Sequence, residues 1–174
     1  MSEFNRRTYH SFSNALSDVR KIMASRKQLK PLIHGDLIGK PFRERLMLAV
    51  TSVNQCRYCS FAHSKMALTE GISYEEIQKL SNGNLDKCPE EELPALLYAQ
   101  HWAEFEGKPE PEIVQHIQNI YGKDKALVIE LIIRMINAAN LAGNTLDLFL
   151  HKVFGERCPL SRKPISSTYE DQIR

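Results

Sequence analysis

The chain has 174 residues, 43% hydrophobic and 25% charged, with 23 Lys and Arg against 21 Asp and Glu for a formal net charge of +2. These values describe one globular domain with enough apolar material for a core that needs no disulfide staples. A balance this even excludes nucleic-acid binding driven by bulk charge. The opening stretch MSEFNRRTYH has none of the apolar run that secretory signals carry, so a reducing, cytoplasmic setting is expected. In that setting a C-x-x-C pair serves catalysis or metal binding rather than stapling.

Apolar spacing is helical nearly throughout and strand-like alternation is scarce, which predicts an all-α fold. The first helix is expected from Tyr9 to Leu29, ending before Pro31, and residues 30–41, with two prolines and two glycines, form a loop. A second helix starts near Pro41 and brings Phe42, Leu46, Val50 and Val53 to one face before Asn54 and Gln55 break it. Cys56 opens a third helix that reaches Glu70 and stops at Gly71. Ser73 to Glu76 form a capping box flanked by an Ile72/Ile77 staple, and the fourth helix they start ends near Gly83. A fifth helix covers Glu92 to Phe105 and closes at Gly107, and a sixth runs from Pro111 to Gly122. The last and most apolar helix begins near Asp124, is expected to bend at Gly143, and continues toward Phe154. Its stretch 126–143 carries Glu130 and Arg134 and reads as a buried core helix, not a membrane span. Residues 1–155 thus read as a single helical domain, and the polar stretch 156–174 as an extended tail.

The chemistry concentrates in RERLMLAVTSVNQCRYCSFAH, residues 43–63. Cys56, Cys59 and His63 stand at i, i+3 and i+7, on one face of a helix. Both cysteines lie at the first turn, where unpaired backbone N–H groups favour negative charge and a thiolate. His63 is one turn beyond Cys59 and can take its proton. A C-x-x-C pair closes into a disulfide with little backbone movement, so the segment holds a nucleophile, a base and a resolving thiol. Helix-start logic alone favours Cys56 as nucleophile, whereas the His63 spacing favours Cys59, with Cys56 as resolver. Glu44, on the preceding helix, reaches His63 if the two helices pack antiparallel, and would then fix the ring's tautomer.

This stretch resembles the active-site segment of the AhpD-like alkylhydroperoxidases within the carboxymuconolactone decarboxylase superfamily. The matching features are Glu44, the step of twelve to Cys56, then Cys59 and His63, followed by KMALTEGISYEEI, with the sharpest likeness over 43–77. LLYAQHWAEF and the apolar helix bearing Asn140 and Asn144 are similar more loosely. The resemblance implies an all-α helical bundle, a thiol relay acting on a hydroperoxide or a disulfide, an external dithiol reductant, and a homo-oligomer, commonly a trimer or hexamer. It departs at Tyr58, where the best-known hydroperoxidases of the group carry a second histidine.

Other readings stand beside the redox one. Cys56, Cys59 and His63 could hold zinc with Glu44 as fourth ligand, although no second CxxC or HxxxH supplies the usual pair. The same superfamily admits a lyase acting on a small acidic lactone, and a non-enzymatic oligomeric module sensing redox state or metal is a third option. Tyr58 either contacts substrate or is a surface aromatic; His101 and Trp102 are core or interface residues, with a pocket role as the lesser alternative. Asn140 and Asn144 need buried partners, such as helix ends. Cys88 and Cys158 are ordinary thiols, and His10, His34, His116 and His151 join no constellation. No Gly-rich dinucleotide fingerprint occurs, so neither NAD(P)H nor flavin is expected, and the preferred reading takes no metal, membrane or nucleic-acid partner.

Overall fold

The computed structural model describes residues 6–25, 27 and 37–154, and its described residues form seven α-helices and no strand. They are α1 Phe12–Ala24, α2 Lys40–Asn54, α3 Arg57–Thr69, α4 Tyr74–Ser81, α5 Leu93–Glu104, α6 Pro111–Tyr121 and α7 Lys123–Phe154. The expected tail at 156–174, His34, Cys158 and the last residues of the expected first helix lie outside the described residues.

Two helices organise the rest. α2 packs against α3, α4, α5 and α7, and α7 packs against α1, α2, α3, α5 and α6. Between them lie Leu46, Leu48, Leu96, Ile129, Leu131, Ile132 and Ile133, each no more than 1% exposed. Such a side chain is worth about 1.5–3 kcal/mol on leaving water, which is why these two helices form the centre. By length and composition α7 could cross a membrane. Half of its apolar window is nevertheless buried inside the fold, and Glu130 and Arg134 pair with each other across one turn. α1 buries no residue fully and lies against α7.

Two boundaries differ from the sequence expectation, both of α1. α1 begins at Phe12 rather than Tyr9, because Ser11 adopts extended backbone and its hydroxyl accepts from the Asn14 N–H at 3.3 Å. Tyr9 instead donates its backbone N–H to Thr145 Oγ1, so residues 6–11 run along α7. The same helix ends at Ala24, where Ser25 caps it through Lys21 O. α7 continues through Gly143 toward Phe154 as one helix of 32 residues.

The other signals hold. Pro41 stands in the first turn of α2, and Gly71, at φ 84°, lets the Ile72 N–H return to Ala67 O at 3.0 Å, closing α3. Ser73 caps α4 through the Glu76 N–H, with Ile72 and Ile77 both buried. The capping box is only half formed, because the Glu76 carboxylate faces Arg45 Nε at 2.5 Å. Arg45 also meets Glu92, tying α2 to α4 and α5 beside the buried Cys88.

Candidate active site

The site grows out of the α2–α3 junction. Gln55 takes a left-handed conformation, φ 58° and ψ 36°, and its N–H still reaches Thr51 O at 2.8 Å. That single residue turns the chain so that α3 packs back on α2. Cys56 is the N-cap of α3 rather than its first helical residue, and Cys59 lies in the first turn. The two sulfurs are 2.9 Å apart and hydrogen-bonded, with no bond between them. Cys56 is fully buried, whereas Cys59 is partly exposed.

His63 and Glu44 meet across the same junction. His63 Nδ1 is 2.8 Å from Glu44 Oε2, and Glu44 is 1% exposed. Its other oxygen accepts from Arg43 Nε at 3.2 Å. With Nδ1 facing the carboxylate, Nε2 is the ring nitrogen left for proton transfer.

The surroundings place the resting charge of the thiol pair. The Cys59 hydrogen bond, foremost, draws the Cys56 thiol down to about 7 against the opposing effect of burial, helped by the backbone N–H groups of Cys59 and Tyr58 and by the charge of Arg6. Cys59 is pushed strongly upward, first by its hydrogen bond to Cys56, then by burial and by the Cys56 charge, while the Asn140 amide works the other way. These opposite directions make Cys56 the more acidic thiol of the pair. The more acidic sulfur belongs to the residue shielded from solvent.

Behind the thiols, α7 supplies a ladder of amides. Asn140 donates to Thr51 Oγ1 at 3.2 Å, Asn144 to Asn54 O at 2.8 Å, and Asn54 to Asn137 Oδ1 at 2.8 Å. Asn144 thereby satisfies a carbonyl at the end of α2. A cavity of about 90 Å³ lies beside Cys56, bounded also by Leu48, Thr51, Ser52 and Gln55. Neither sulfur lines a second cavity of about 200 Å³ between the N-terminal segment, α1, α5 and α7.

Among the described residues, no group of three or more His, Cys, Asp and Glu side chains converges as a metal site. Tyr58 donates its hydroxyl to Asp147 Oδ1 at 3.2 Å. Trp102 is buried, whereas His101 pairs with Glu110 and stacks on Phe105. His10 lies 3.7 Å from Glu106, and among the described residues His116 and His151 join no cluster of metal-ligating side chains.

Sequence reasoning missed Gly143 and Asp147. A Cβ on Gly143 would stand 3.2 Å from Cys56 Sγ, so the glycine gives the sulfur its place against α7. The signal was present: Asn140, Gly143, Asn144 and Asp147 repeat at helical spacing along one face of an apolar helix.

Residues 30–86 match the family model of the carboxymuconolactone decarboxylase family, and the match contains Glu44, Cys56, Cys59 and His63. No match was found among curated proteins or among solved structures.

Proposed function

With residues 30–86 belonging to the carboxymuconolactone decarboxylase family, which takes in the AhpD-like proteins and whose members are usually enzymes, we propose that this chain is a thiol-dependent oxidoreductase that reduces a hydroperoxide or a disulfide. The observation that carries the reading is the pair of sulfurs 2.9 Å apart at the start of α3.

Cys59, the accessible sulfur, attacks. In this reading the more acidic Cys56 rests as the thiolate and Cys59 as the thiol, and as Cys59 attacks its proton crosses to Cys56. With a hydroperoxide the O–O bond breaks, Cys59 becomes a sulfenic acid, and the departing alkoxide takes a proton from His63. Cys56 then displaces the sulfenic oxygen as water, forming the Cys56–Cys59 disulfide. An external dithiol reduces that disulfide and takes up the two oxidising equivalents. With a disulfide substrate the first product is a mixed disulfide, which Cys56 resolves. Glu44 orients His63 and stabilises its protonated form.

Consumption of hydrogen peroxide, an organic hydroperoxide and a model disulfide, each with a dithiol as electron donor, tests this reading. Turnover of at least one that stops without the dithiol is expected; no turnover of any of them would contradict it. The family's decarboxylase name supports a second reading, a lyase for a small acidic lactone, and lactone turnover by a variant lacking both cysteines would favour that one.

We further propose that the chain works as a homo-oligomer in the cytoplasm. Phe12, Leu16, Val19 and Met23 form an exposed apolar stripe on α1, and Leu146, Phe149 and Val153 one on α7. Sedimentation at micromolar concentration should give a species heavier than 20.0 kDa, and a purely monomeric boundary would refute this.

A further inference from the structure

The two residues between the cysteines are tied to the far helix. Arg57 Nη2 donates to both oxygens of Asp147, at 3.1 and 3.0 Å, and Tyr58 donates to Oδ1. Arg6, from the segment preceding α1, pairs with the same carboxylate. Asp147 is 3% exposed and stands one turn beyond Gly143, the residue that seats Cys56 Sγ. Within one turn α7 thus offers a gap for the sulfur and an anion for the start of α3 that follows it. A carboxylate this deep persists because two guanidiniums and a phenol meet it.

We propose that Asp147 is the positioning residue of the thiol pair: its carboxylate clamps the Arg57–Tyr58 turn onto α7 and holds Arg6 near Cys56, so that α7 sets the acidity and reduction potential of the C-x-x-C. This rests on reading Cys56 and Cys59 as a redox pair. Taken alone, a nearby carboxylate opposes a thiolate. Here the carboxylate holds Arg6, which is one of the influences that favour the Cys56 thiolate. The other charged or titratable groups joined to this neighbourhood include Cys59 and His63 on α3 and Glu44 with its partner Arg43 on α2.

The opposing signs make the proposal decidable. If Asp147 acted only through its own charge, Asp147→Asn would make the thiol pair more acidic. If it acts by holding the arginines and the turn, the same change makes the pair less acidic. The experiment is a titration of thiolate ultraviolet absorbance on the full reduced chain, with equilibration of the pair in glutathione redox buffers. In Asp147→Asn we expect the acid transition to climb by about one pH unit, which lowers the thiolate fraction at pH 7 on the order of fivefold. The pair also becomes more reducing, because the reduced form has lost stabilisation. Asp147→Glu should recover part of the shift. Arg6→Ala, which leaves Asp147 with Arg57 and Tyr58, should shift the transition in the same direction by less, and it carries the test if Asp147→Asn does not fold. A transition that stays put or moves to lower pH, in protein with parental helical circular dichroism, overturns the proposal. A parent chain that never forms a Cys56–Cys59 disulfide in the redox buffers instead overturns the redox reading beneath it.

Discussion

Cys59→Ser is expected to lose rapid oxidation altogether, while Cys56→Ser is expected to accumulate a sulfenic acid on Cys59. The asymmetry follows from exposure and from the difference in acidity. In Cys59→Ser the remaining sulfur can still be a thiolate, since a serine hydroxyl can donate to it as the Cys59 thiol does, but Cys56 is fully buried and meets oxidant slowly. In Cys56→Ser the accessible sulfur remains. The strongest influence raising its pKa, the hydrogen bond and charge of Cys56, is removed, so Cys59 becomes more acidic than in the parent. It oxidises, finds no partner thiol and stops at the sulfenic acid. A dimedone-type probe with mass spectrometry should place the adduct on Cys59 in Cys56→Ser. An adduct on Cys56 in Cys59→Ser, formed at the parental rate, would exchange the two roles. No adduct in either variant would point to disulfide exchange, which passes through no sulfenic acid.

Glu44→Gln should slow oxidation by about tenfold or more while leaving the fold intact. The amide keeps the size of the buried side chain, and Arg43, left without its carboxylate oxygen, is partly exposed and can turn to water. What the amide lacks is the charge that stabilises a protonated His63. The measurement is the rate of oxidation by peroxide as a function of pH, beside the thermal unfolding of both proteins. Coincident rate profiles would remove Glu44 from the relay, and a large loss of thermal stability would assign it to the core instead.

The parts of this molecule that could be read from the sequence are those whose determinants are local. Gly71, Pro41 and Pro111 mark helix ends because each acts on its own turn. The set Glu44, Cys56, Cys59 and His63 comes from two consecutive helices, so one antiparallel turn at Gln55 brings its members together. Glu76 shows where local logic fails. Its sequence fits a capping box, but a half-buried Arg45 from α2 offers a charge-assisted hydrogen bond that a backbone N–H does not match. Gly143 shows the same for a helix interior. A glycine there suggests a bend by local logic; its packing role, leaving space that Cys56 fills from the other side of the fold, is not local. Asp147 and Asn140 signalled only that an apolar helix must find polar partners. Which partners depended on how α7 crosses α2 and α3, a contact between residues some ninety positions apart. Which thiol is the more acidic was likewise out of reach, because it depends on the distance between the sulfurs and on Arg6.

Peptide mapping of the parent chain after one equivalent of hydroperoxide or disulfide oxidant addresses the thiol chemistry most directly. Under non-reducing conditions a single intramolecular Cys56–Cys59 disulfide should account for the oxidant consumed, and a dithiol should return both residues to thiols. Oxidant consumption with Cys56 and Cys59 still reduced, or undiminished turnover by the variant lacking both, would contradict it.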